Sequence, residues 1–143
     1  MEALERVTLV MALMRQLEQV MEQEILVLRG MRLDRLADIV LEKTTLCHAY
    51  ELELRGLRSR PELLASLDSD IRLALEQATR DFQARSAANL RALEAARSVV
   101  ERVMRHIGNS LDAGPLKPQH YNPQQPGTPM RGQVIALAFD RQI

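Results

Sequence analysis

Four side chains in this sequence carry the chemistry of nucleophiles or metal ligands: Cys47, His48, His106 and His120. A metal needs several such groups converging. Only the adjacent pair Cys47 and His48 comes close, and neighbours in a helix point to different faces. No metal and no other cofactor is expected. A nucleophilic Cys47 would need access and a depressed pKa, but it falls on an apolar helical stripe, where a thiol behaves as a small hydrophobe. His106 is the one carrier for a histidine phosphotransfer reading, in which an exposed helical imidazole accepts a phosphoryl group. It is followed by Ile107, Gly108, Asn109 and Ser110 rather than the Lys-Gly pair such a histidine precedes, and it stands near the end of its helix. Gly-rich phosphate loops, paired-carboxylate pockets and Ser/His/Asp arrangements do not stand out. The chain is therefore expected not to be an enzyme.

The elements that must position these residues are helices. Of the 143 residues 46% are hydrophobic but only 3% aromatic, with no Trp. The apolar mass is thus Leu, Val, Ile, Ala and Met, the set that packs helix on helix. The length allows one domain and an appendage. Nineteen basic residues balance nineteen acidic ones, so no net field draws in a nucleic acid, and a partner is expected to be held by shape and apolar contact. The start of the sequence is amphipathic and charged rather than leader-like, and its longest early apolar stretch, Val7 to Met14, is far short of the ~20 residues of a membrane span. A single cysteine forms no internal disulfide. Together these point to the cytoplasm.

Apolar residues at steps of three and four mark three helices. Leu4, Val7, Met11, Met14, Leu17, Met21, Ile25 and Leu28 form the stripe of the first, about 2–29, which Gly30 is expected to stop. Leu33, Leu36, Val40, Cys47, Tyr50, Leu54 and Leu57 form the second, about 32–57, with Lys43 interrupting its heptads. After Pro61, a residue suited to a first turn, Leu64, Leu67, Ile71, Ala74, Ala78, Phe82, Leu93, Ala96, Val100, Val103 and Ile107 predict a third, 61–111. The fold expected is all-α: an antiparallel up-down bundle of three long helices over 1–111, with a Pro/Gly-rich tail over 112–143. Five of the six prolines lie in that tail.

Two polar residues fall on or beside the seams. Lys43 is expected to snorkel to water, the alternative being a buried group that fixes register. Asn89 is either a register pin or a solvated amide. At 1.5 Å per residue the third helix, roughly 75 Å, outruns the other two at roughly 40 Å each. Its far half should therefore expose an apolar stripe: Leu93, Val100, Val103, Met104, Ile107 and Leu111. The tail ends in Val134, Ile135, Ala136, Leu137, Ala138 and Phe139, six apolar residues that also need cover. The chain's own helices, a second copy or a client would supply it.

Short segments carry a resemblance. Leu28-Arg29-Gly30 followed by Leu36, Ile39, Glu42 and Lys43, then Asn89 with Leu90 and Leu93, then His120-Tyr121-Asn122-Pro123-Gln124-Gln125-Pro126-Gly127, is similar to the pattern of the FlgN-type flagellar export chaperones. Met31 stands where that family often has Asp, and the Tyr-to-Gly segment is longer and richer in proline. The resemblance implies a cytosolic helical chaperone whose client is the C-terminal helical region of hook-associated, hook-filament junction proteins, delivered to the flagellar type III secretion gate. It implies client binding by the third helix and tail, through Val100, Val103, Met104, Ile107, Leu111, Val134, Ile135, Leu137 and Phe139. It also implies that Tyr121 contacts the export gate's cytosolic domain. The competing expectation is a coiled-coil adaptor or homodimer without a client.

Overall fold

The computed structural model describes residues 2–113, and side-chain surroundings as far as Leu111. These residues are helices and the turns between them, with no strand among them. We number the helices α1 (Glu2–Arg29), α2 (Leu36–Arg58), α3 (Pro61–Ala65) and α4 (Ser69–Ala113); a 3-10 turn, Leu33–Arg35, precedes α2. The expected tail lies outside the described residues, except that α4 runs on through Asp112 and Ala113.

The helix expected over 61–111 is two. Pro61 opens α3, as its fixed φ and missing N–H allow, but α3 stops at Ala65 and the chain turns through Ser66, Leu67 and Asp68. Leu67 is buried there and closes one end of the core. Its apolar spacing with Leu64 and Ile71 suits a continuous helix and an inward-turned loop alike, so the periodicity did not show the break. α4 then continues unbroken for 45 residues, rich in alanine, whose helix propensity is highest.

The first turn forms at Gly30, yet the left-handed residue is Met31, with φ 53°. The Arg32 N–H donates to the Val27 carbonyl at 3.0 Å and the Met31 N–H to the Leu28 carbonyl at 3.2 Å. These are the paired bonds of a Schellman cap, which satisfy carbonyls that a helix end leaves free. Methionine in the position glycine usually takes costs about 1–2 kcal/mol of backbone strain.

α1 is the central helix. It packs along both α2 and α4, while α2 and α4 meet through long side chains, such as Tyr50 and Phe82 with ring centroids 5.2 Å apart. One apolar cluster joins Val7, Val10, Met14, Leu17 and Met21 of α1 to Leu57, Leu67 and Phe82. A second joins Val20, Val27 and Leu28 to Leu36, Ile39 and Leu93. The order of these residues runs α2 back along α1 and α4 forward along it. Val100 is the last α4 residue packed against the second cluster, and α1 ends at Arg29. From Glu101 to Ala113, about 20 Å of α4 projects past its partner.

Candidate functional site: a polar layer, a groove and an overhang

Between the two apolar clusters lies a polar layer with one member from each long helix: Glu24, Lys43 and Asn89, exposed by 0%, 6% and 3%. Lys43 Nζ stands 3.0 Å from Glu24 Oε2 and donates to Asn89 Oδ1 at 2.8 Å. Asn89 Nδ2 in turn donates to the Met21 carbonyl at 3.3 Å. Glu24 meets Lys43 as charge to charge: the geometry is not that of a directed hydrogen bond, and Oε1 has no donor among the described residues.

The layer corrects the reading of Lys43. The ammonium turns inward rather than snorkelling, because Glu24 supplies the opposite charge a buried ammonium requires. Asn89, left open above, is buried and completes it. Glu24 was not singled out, although Ala3, Val10, Leu17 and Glu24 succeed one another every seven residues, as do Leu36, Lys43, Tyr50 and Leu57, and Phe82, Asn89 and Ala96. An acid, a base and an amide on core positions of three helices was the available signal. The three- and four-residue spacing passes instead through Ile25, which is half-buried and lines a groove.

That groove, about 550 Å³, runs between the end of α1 and α4. It is lined by Ala88, Ala92, Ala95 and Ala96, by the larger apolar side chains of Ile25, Leu28, Met31 and Val99, and by Arg29 and Arg91. It leads onto the projecting part of α4. Val103, Met104, Ile107 and Leu111, expected as client contacts, are each more than half exposed there. Val100 differs, being partly buried against the second cluster, and Leu93, expected on the bare stripe, is a buried member of that cluster because the end of α1 still covers α4 at that level. Every residue from Glu101 to Leu111 is exposed except Gly108, which is half-buried. Val134, Ile135, Leu137, Phe139 and the expected gate contact Tyr121 lie outside the described residues.

The remaining candidates come apart. Cys47 is half-buried against the first apolar cluster. Burial raises its pKa, an effect that the nearby Lys43 charge only partly opposes, so the thiol stays protonated. His48 and His106 are exposed on different helices, and His120 lies outside the described residues. Among the described residues, no three His, Cys, Asp or Glu side chains converge as a metal site would require, and no helix is long and apolar enough to cross a membrane. In comparisons with known proteins, the chain matches no family model, no curated protein and no solved structure.

Proposed function

We propose that this chain is a cytosolic, non-catalytic helix-gripping protein, an export chaperone of the flagellar type III pathway. It takes the C-terminal helical region of hook-associated proteins and delivers it to the secretion gate. The single observation behind the gripping role is that the core face of α4 continues for about 20 Å beyond the end of α1. Val103, Met104, Ile107 and Leu111 stand ready there for a helix that α1 does not supply. A helix laid on such a stripe buries its own apolar face by the same three- and four-residue spacing. The flagellar assignment rests on the sequence resemblance around Leu28-Arg29-Gly30, Asn89 and the Tyr121 segment.

In this reading α1 and α2 hold α4 straight, α4 grips, and the tail with Val134, Ile135, Leu137 and Phe139 shields or supplements the grip while Tyr121 meets the gate. The test is a pull-down of the C-terminal region of a hook-associated protein by the full chain, set against Val103→Asp/Ile107→Asp and against a chain lacking residues 113–143. Capture by the full chain, with loss in the double variant at unchanged helicity, is the expected result. Undiminished capture by the double variant would remove α4 from the role, and absence of capture by the intact chain would remove the flagellar client.

A further inference from the structure

The sequence is neutral as a whole, but its charge is unevenly placed. From Arg85 to Leu111, α4 carries five arginines, Arg85, Arg91, Arg97, Arg102 and Arg105, against two glutamates, Glu94 and Glu101. Arg29 and Arg91 border the apolar groove, and neither has an ion-pair partner among the described residues. In the adjoining cleft Glu18 and Glu22 lie near Arg29 and Arg85. The uncompensated charge along this surface is therefore greatest at Arg91 and Arg102, which helical spacing places beside Val99 and Val103, whereas Arg105 falls on the opposite side of α4 from Ile107. We infer that the groove and the projecting stripe of α4 form one docking surface for an acidic amphipathic helix of another protein, its apolar face on the stripe and its flanking carboxylates on the arginines.

Charge decides among the occupants. The chain's own segment 114–143 carries Lys117, Arg131 and Arg141 against Asp140 alone, so it brings like charge to a basic surface. A second copy brings the same arginines. It also offers on the projection only a handful of apolar residues, against the roughly 20–30 residues a side of a stable interface. An acidic helix has the complementary sign, which speeds encounter and rejects basic competitors. The inference rests on the gripping role proposed above but is independent of the flagellar client.

The probes are two fluorescein-labelled peptides of roughly 18 residues, five helical turns. They share the same leucines at three- and four-residue spacing, and one has glutamate and the other lysine at the flanking positions. Anisotropy titration of the full chain should show the acidic peptide bound about tenfold or more tighter than the basic one, with the difference shrinking as salt screens it. Arg91→Glu/Arg102→Glu should reverse the order, and Ala95→Phe, which fills the groove from an exposed position, should weaken the acidic peptide while leaving the melting curve in place. Equal affinity for the two peptides, or an order that survives the reversal, overturns the inference. So does tighter binding of the acidic peptide after residues 114–143 are removed, since the tail would then be the occupant. A concentration-dependent dimer that the acidic peptide fails to dissociate overturns it in favour of a second copy. If a hook-associated region binds yet the two peptides do not differ, this inference falls and the proposed function stands. If the acidic peptide binds selectively and no hook-associated region does, the reverse holds.

Discussion

Lys43 carries its charge to a place water hardly reaches, and Glu24 and Asn89 meet it there. Taking two charges out of water costs several kcal/mol each, so such a pair adds little net stability but fails badly when halved. Lys43→Met should lower stability by about 3–5 kcal/mol in a urea titration, because Glu24 is left buried without its counter-charge. The triple change Glu24→Leu/Lys43→Met/Asn89→Leu should be close to neutral or stabilising, and a loss equal to the single variant's would show that the layer contributes net stability. Further along the same helix as Lys43, Cys47 and Tyr50 both have raised pKa values, burial being the largest cause in each. A raised folded-state pKa means that the unfolded chain gives up its proton first. The associated stability is complete below the ordinary thiol pKa of about 8.5 and is lost as pH rises through the folded values. Thermal melts from neutral pH upward should decline in that alkaline window, and Cys47→Ala should remove the earlier part of the decline.

At the scale of the helices, the turn after α1 and the length of α4 each make a prediction. Met31 holds φ 53°, a backbone state glycine enters without the Cβ clash. Met31→Gly should therefore raise stability by up to about 1 kcal/mol, read as a higher urea midpoint, despite glycine's looser unfolded state. An unchanged or lower midpoint would mean that the exposed Met31 side chain, which lines the groove, contributes packing of its own. Along α4 the same apolar stripe passes from covered to bare. Leu93 is 3% exposed in the second cluster, so Leu93→Ala should cost about 2–5 kcal/mol. Ile107→Ser, on the projection, should change stability by no more than about 0.5 kcal/mol. Similar losses at both sites would show that something covers Ile107 in the free chain.

On the scale of the whole molecule, the polar layer divides the core. Nine buried residues lie in the cluster around Leu17 and six in the one around Leu36, and half-buried Leu46 touches both. The smaller cluster holds the Gly30–Met31 turn and adjoins the groove, so amides of Val27 to Val40 should exchange through openings of lower free energy than those of Val7 to Leu17. Equal protection would mean that the two clusters open as one. Much of this was readable from residue order alone. The 3.6-residue period of Leu, Val, Ile and Met fixes helices, because only that geometry puts those side chains on one face. Pro61 marks a helix start through its fixed φ and missing N–H, and Gly30 marks the end of the first helix, although the left-handed residue of that turn is Met31. Tertiary structure alone decided the fate of Lys43, since whether an ammonium snorkels or turns inward depends on whether a carboxylate from another helix, here Glu24, arrives at the same level. It also decided the break at Leu67, where spacing suits a helix and an inward loop equally, and the place where α4 is left bare, which follows from how the ends of α1 and α4 align and not from the period of either.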